Sequence, residues 1–135
     1  MKEKILVIEN DSSGRDFFLN SFGSAFGIEF SSDNLEELKT HSQTQPDAII
    51  YDMEQQNTEN LRKIIDCNEL GFYTPVIVIV SDNCLELETT VRQQNVSYYF
   101  VKPLDVEELR EAVESCVQFS KKNRLNRNFS NNFKG

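Results

Sequence analysis

Short apolar segments alternate along the chain with longer segments of mixed polarity. Five apolar segments are predicted to be strands: Ile5–Glu9, Ile28–Ser31, Ala48–Tyr51, Val76–Val80 and Ser97–Val101. Three of them, with the sequences ILVIE, AIIY and VIVIV, are almost entirely β-branched or large apolar residues, as strands covered on both faces are. The segments between them carry apolar residues at helical spacing. This alternation predicts a (βα)5 domain of the α/β class, in which helices connect parallel strands.

Aspartates are predicted to cap two of the helices. Asp33 precedes the second helix, and Asp105 with Glu108 forms a capping-box variant at the start of the last one. The apolar residues of that last helix recur at helical spacing: Leu109, Ala112, Val113, Cys116 and Val117. Beyond it the periodicity is lost and asparagine accumulates. We therefore predict one domain over residues 1–120 and a basic, disordered tail over residues 121–135.

The charge is divided unevenly between these two parts. The chain has a formal net charge of −8, but its last fifteen residues hold five basic side chains and no acidic one. Residues 1–120 therefore carry a net charge of −13. A domain this acidic repels the phosphates of nucleic acid, so we do not expect it to bind DNA or RNA.

Cysteine spacing and hydropathy favour a cytoplasmic protein. Cys67, Cys84 and Cys116 include no C-x-x-C pair, which argues against a disulfide framework and against a zinc site. Apolar runs reach about six residues, whereas a membrane span needs roughly 18. The acidic N-terminus does not have the features of a signal peptide. We expect no membrane partner.

Polar side chains follow the predicted strands at their carboxyl ends. Glu9 and Asn10 end the first strand, Asp52 follows the third, Ser81 the fourth and Lys102 the fifth. The carboxyl ends of parallel strands meet at one edge of a sheet, where ligands bind in open α/β folds. Carboxylates without histidine suit Mg²⁺, and an ammonium group pairs with phosphoryl oxygens. The sequence therefore predicts a site for Mg²⁺ and phosphate at this edge.

Over residues 3–119 the chain resembles the receiver domains of two-component response regulators, such as the chemotaxis and nitrogen-regulation regulators. The matching stretches are ILVIENDSSGR, PDAIIYD and YYFVKPLDVEEL, in this order and at strand ends. The resemblance implies a doubly wound, flavodoxin-like sheet of five parallel strands in the order 2-1-3-4-5.

The resemblance also implies roles for individual residues. Asp52 takes the place of the phosphoacceptor, and Lys102 takes the place of the catalytic lysine that contacts the phosphoryl group. Glu9 and Asn10 match the acidic pair that holds Mg²⁺ together with Asp52 and the backbone carbonyl of Glu54. The Lys-Pro bond after the fifth strand is commonly cis in this family. These implications place a single phosphorylation site at the predicted edge.

Tyr99 matches the aromatic switch residue of the family. Two other positions depart from the family pattern. Asn10 replaces the aspartate that usually ligates the metal, so Mg²⁺ binding is expected to be weak. An ungapped alignment puts Val80 at the switch position that normally carries a hydroxyl. A shift of one residue would put Ser81 there instead.

Two functions from different classes follow. The first is a single-domain response regulator that accepts a phosphoryl group on Asp52 from a histidine kinase or phosphotransfer protein and signals to an output protein through its own surface. It is a phosphoacceptor rather than an enzyme, although it can catalyse its own phosphoryl transfer. The second, motivated by Asn10 and Val80, is a phosphorylation-independent interaction module. A flavodoxin-like enzyme ranks last because no glycine-rich phosphate loop is present. The sequence is compatible with a homodimer as well as with a monomer.

Overall fold

The computed structural model describes residues 3–9, 14–32, 34–42, 45–53, 58–69 and 74–133. Its strands are β1 (Lys4–Ile8), β2 (Gly27–Ser31), β3 (Ala48–Met53), β4 (Val76–Val80) and β5 (Tyr98–Val101). Its helices are α1 (Arg15–Phe22), α2 (Leu35–Ser42), α3 (Thr58–Glu69), α4 (Leu85–Arg92) and α5 (Val106–Phe133). Strand and helix alternate as the sequence predicts.

All five strands join one parallel sheet in the order β2-β1-β3-β4-β5. This order confirms the doubly wound, flavodoxin-like fold. Every residue of β3 and β4 is buried, because helices cover both faces of the central strands. Their β-branched side chains are what a strand without a solvent face requires.

Alternate residues of the central strands pack into two apolar clusters, one on each face of the sheet. On the first face, Val7 and Ile50 pack against residues of α1 and α5: Phe18, Phe22, Leu109, Val113 and Val117. On the second face, Ile8 and Val78 pack against residues of α2, α3 and α4: Leu38, Leu61, Ile64, Ile65, Leu87 and Val91. The two clusters hold the central strands in place, so the polar residues at the carboxyl ends of these strands are positioned by a packed core.

Asparagine and aspartate side chains cap two helices. Asp105 Oδ1 accepts hydrogen bonds from the backbone N–H groups two and three residues later, at 2.9 and 3.2 Å, which confirms the predicted cap of α5. Asn34 Oδ1 does the same for α2, at 2.9 and 3.3 Å. The predicted cap Asp33 lies outside the described residues, and its neighbour makes the capping contacts.

The described thiols form no disulfide. Cys116 is buried in the core, and burial raises its pKa to about 12, so this thiol stays protonated and unreactive. Cys84 is exposed at the start of α4, where its Sγ accepts from the N–H of Leu87 at 3.4 Å. None of the helices in the described ranges is both long and apolar enough to cross a bilayer.

The last helix continues through the segment for which we expected disorder. α5 extends to Phe133, and Ser120 Oγ ties it to the sheet by donating to the carbonyl of Asp47 at 2.6 Å. Lys121 forms an ion pair with Glu3. A formed helix needs no new nucleus to continue, and lysine, arginine and leucine favour helix, which offsets the asparagines. The boundary at residue 120 remains a prediction.

Removing residues 123–135 should change the free energy of unfolding by less than about 1 kcal/mol, because the contacts named above lie before this segment. Ser120→Ala is the positive control. It should cost about 1–2 kcal/mol, since it removes the donor to a buried carbonyl. Urea denaturation followed by circular dichroism measures both. A loss from truncation that exceeds the loss from Ser120→Ala would contradict the prediction.

Candidate functional site

Three charged side chains meet at the carboxyl edge of the sheet. Glu9 follows β1, Asp52 lies near the end of β3, and Lys102 follows β5. The side chains of Glu9 and Asp52 are only 1% and 8% exposed, whereas that of Lys102 is 38% exposed. The structure therefore brings together three of the predicted site residues. Their chemical roles remain predictions.

Lys102 pairs with the carboxylate of Asp52. Its Nζ donates a hydrogen bond to Oδ2 at 3.3 Å and lies 3.1 Å from Oδ1. Oδ1 is buried and accepts no hydrogen bond from the part of the chain that the structure describes. The backbone N–H of Lys102 donates to the carbonyl of Val80 at 2.9 Å, so it extends the pairing of β5 with β4. The Lys102–Pro103 bond is cis, as the resemblance implied.

Glu9 and Asp52 face a common gap that Gly14 leaves open. A Cβ atom at position 14 would lie 3.3 Å from Glu9 Oε2 and 3.7 Å from Asp52 Oδ2. The backbone of Gly14 has φ −88° and ψ −4°, which any residue adopts. Space, rather than backbone conformation, is therefore what glycine supplies at this position.

This pair of carboxylates fits a Mg²⁺ ion. Two buried carboxylate oxygens lie within 4 Å of one point, and Mg²⁺ is commonly held by one or two carboxylates while it keeps several waters. The other predicted ligands, Asn10 and Glu54, lie outside the described residues. Within the described ranges no group of three or more His, Cys, Asp or Glu side chains is placed to hold a metal. Among the described residues, Glu9 and Asp52 are therefore the carboxylates that this gap offers to a cation.

Arg15 contacts the same site, a role that the sequence alone did not predict. Its Nε donates to Glu9 Oε1 at 2.9 Å, and its guanidinium group lies 5.1 Å from the centre of the Phe30 ring. Half of the Arg15 side chain is exposed. The signal available in the sequence was one basic residue in the acidic stretch ENDSSGRD. The charge alone did not indicate which carboxylate it would contact.

The structure places the predicted switch residues on the side of β4 and β5 that packs against α4. Val80 is buried in the apolar cluster of that face, and Tyr99 packs against the same cluster. Ser81 follows the strand and is exposed. In the ungapped alignment, the switch position is therefore occupied by Val80, which is part of the core on the same face as Tyr99.

The hydroxyl of Tyr99 has a polar partner beyond the sheet. It donates to Asn83 Oδ1 at 2.7 Å, and the guanidinium group of Arg92 lies 5.5 Å from the ring centre. Burial raises the pKa of Tyr99, and the negative charge of Glu88 adds to the effect while Arg92 opposes it. Tyr99 therefore stays a neutral donor at neutral pH. Asn83, which the sequence analysis did not single out, links this ring to the loop after β4.

Comparison with solved structures gives the same fold. A CheY-like receiver domain protein from Methanospirillum hungatei superposes with a TM-score of 0.72 over 91% of this chain and 99% of that one, at 14% identity. The chemotaxis protein CheY4 of Vibrio cholerae gives a TM-score of 0.71 over 86% of this chain and 99% of that one, at 18% identity. Identities this low show the fold alone.

Curated relatives add sequence similarity, although no protein-family model matches the chain. The probable C4-dicarboxylate response regulator DctR of Priestia megaterium is 26% identical over 121 residues, or 87% of this chain. Sporulation initiation phosphotransferase F of Bacillus subtilis is 26% identical over 124 residues, also 87% of this chain. The chain is thus similar to response-regulator receiver domains in sequence and has their fold. It spans about half of DctR, 53%, and 95% of phosphotransferase F.

The charged edge formed by Glu9, Asp52 and Lys102 is bordered by contacts that the resemblance did not imply. The pairing of Asp52 with Lys102 and the proximity of Glu9 follow the pattern that the resemblance implied. The contact of Arg15 with Glu9 and the bond of Tyr99 to Asn83 were not implied by it. At these two contacts we expect this chain to behave differently from the proteins that it resembles.

Proposed function

We propose that this receiver domain accepts a phosphoryl group on Asp52 from a histidine kinase or phosphotransfer protein and signals through its own surface to an output protein. The observation that supports this most strongly is the buried carboxylate of Asp52, paired with Lys102 and facing the gap beside Gly14. The names of the relatives, response regulators and a phosphotransferase, point to the same chemistry. The comparisons do not favour a phosphorylation-independent module.

The transfer follows from the chemistry of an ionised carboxylate. An oxygen of Asp52 attacks the phosphorus of a phosphohistidine, an O–P bond forms as the P–N bond breaks, and the imidazole leaves with the electron pair. The attacking oxygen carries no proton, so no general base is needed. Lys102 is close enough to exchange its contact with the carboxylate for one with a phosphoryl oxygen. The domain therefore contributes mainly position and charge.

Glu9 and Asp52 would hold a Mg²⁺ ion together with Asn10 and the carbonyl of Glu54. When bound, the ion supplies positive charge that neutralises the phosphoryl oxygens as the transfer proceeds. The absence of a side chain at Gly14 leaves space beside Glu9 Oε2 and Asp52 Oδ2, the two carboxylate oxygens nearest to this position. These groups would act by neutralising negative charge, so the site needs no residue that transfers a proton.

The signal would pass from Lys102 into β5. Lys102 continues this strand and is joined to Val80 by its backbone N–H, so a shift of its side chain toward a phosphoryl group acts on β5 and on the loop after β4. Tyr99 lies on β5 and is bonded to that loop through Asn83. We therefore propose that α4, β5 and α5 form the surface whose two states report phosphorylation.

The test is the intact mass of the protein after treatment with acetyl phosphate and Mg²⁺. Wild type should gain one phosphoryl group, and Asp52→Asn should gain none. Asp82→Asn is the matched control, because Asp82 is an exposed aspartate just after β4 and its variant should still be phosphorylated. If wild type gained no phosphoryl group from acetyl phosphate or from a panel of histidine kinases, the interaction module would be the better description.

A further inference from the structure

Both buried carboxylates of the site already have a cation from the chain itself. Lys102 pairs with Asp52, and Arg15 donates to Glu9 at 2.9 Å. The proposed function gives Lys102 a contact with the phosphoryl group, but it gives Arg15 no task. We propose that Arg15 is an internal competitor of the divalent cation: its guanidinium group neutralises Glu9 and thereby sets how weakly Mg²⁺ binds. This inference rests on the proposed function of the site.

The geometry leaves Glu9 shared between the two cations. Arg15 occupies Oε1, whereas Oε2 faces the gap beside Gly14 in which the metal ion would lie. A guanidinium group and a divalent cation on one carboxylate repel each other. The side chain of Glu9 is 1% exposed and that of Arg15 is 50% exposed, so solvent screens this repulsion only in part. We expect this repulsion to outweigh any help that Arg15 gives by orienting the carboxylate.

Arg15 has a second partner that would keep it close when it releases Glu9. Its guanidinium group lies 5.1 Å from the centre of the Phe30 ring on β2, a distance typical of cation–π contacts. Half of its side chain is exposed, so the group can turn toward water without leaving the ring. The arginine can thus lose its hydrogen bond to Glu9 when the metal ion binds and regain it afterwards.

The experiment is a Mg²⁺ titration of the full chain by NMR on wild type, Arg15→Gln and Arg15→Lys. Arg15→Gln should bind Mg²⁺ about tenfold more tightly, because a unit positive charge beside the ligand is removed. Arg15→Lys keeps the charge and should bind like wild type. Arg110→Gln makes the same change of net charge at a surface pair with Glu107, and it should leave the affinity unchanged. In wild type, the Nε–H resonance of Arg15 should shift as Mg²⁺ is added.

Two further variants separate this inference from the proposed function. Asp52→Asn should weaken Mg²⁺ binding, and Asn10→Asp should strengthen it whether or not Arg15 competes. Affinities of Arg15→Gln equal to or below wild type, while Asp52→Asn still loses binding, would overturn the role of Arg15 and leave the phosphoacceptor site standing. If no variant bound Mg²⁺, Asn10→Asp included, both the role of Arg15 and the proposed phosphoacceptor site would be overturned.

Discussion

Gly14→Ala should slow phosphoryl uptake by Asp52 about 10²-fold while the domain stays folded. The added methyl group would lie 3.3 Å from Glu9 Oε2, in the gap that the metal ion and the phosphoryl group need. Displacing the carboxylates by a fraction of an ångström is enough to disturb an in-line transfer. The backbone at this position suits alanine, so the strain falls on the site rather than on the helix. The rate of phosphorylation by acetyl phosphate at fixed Mg²⁺ measures the effect.

Gly27→Ala is the matched control for this variant. Its added Cβ would lie 3.7 Å from the carbonyl oxygen of Glu3, an ordinary contact, so it should phosphorylate at the rate of wild type. Equal rates for Gly14→Ala and Gly27→Ala, with equal melting temperatures, would mean that the reacting groups do not occupy the gap beside Gly14.

Lys102→Met should slow the same transfer by about 10²- to 10³-fold, the effect of removing one well-placed charged donor from a site where charge develops. Methionine keeps most of the length of the side chain but leaves the phosphoryl oxygens without the ammonium group. The variant should also lose about 1–3 kcal/mol of folding free energy, because the buried carboxylate of Asp52 loses its cation. Single-turnover kinetics and urea denaturation measure the two effects separately.

Lys4→Met controls for the loss of one positive charge. Lys4 forms a half-exposed ion pair with Glu29 at 3.7 Å, and pairs of this kind contribute about 0–1 kcal/mol. This variant should keep both the rate and the stability of wild type. A Lys102→Met protein that is phosphorylated as fast as Lys4→Met would show that Lys102 only balances the charge of Asp52 in the resting state.

The fold could be predicted because its three central strands are buried on both faces. Each of β1, β3 and β4 is a short run of apolar residues, and such runs separated by helical patterns leave a parallel sheet as the consistent arrangement. The strand order came from the resemblance, since apolar patterns do not say which strands are neighbours. α5 continues beyond the point where the helical periodicity of the sequence ends, because a helix already formed continues more readily than one begins, even though asparagine lowers helix propensity.

The candidate site was predictable where a residue ends a strand. Glu9, Asp52 and Lys102 were placed by the rule that parallel strands end at one edge of the sheet. Arg15 and Asn83 are in loops or at the first turn of a helix, where no periodicity fixes the direction of a side chain. The three-dimensional structure was needed to show that Arg15 contacts Glu9 and that Asn83 contacts Tyr99.

The bond between Tyr99 and Asn83 gives this domain a natural optical probe. The chain contains four tyrosines and no tryptophan, so tyrosine dominates its ultraviolet absorption and emission. Because burial raises the pKa of Tyr99, this residue ionises at a higher pH than a free tyrosine does. A rearrangement that breaks the bond to Asn83 and turns the ring toward solvent would lower that pKa. An alkaline titration of the unlabelled protein is therefore expected to respond to a rearrangement of β5 around Tyr99.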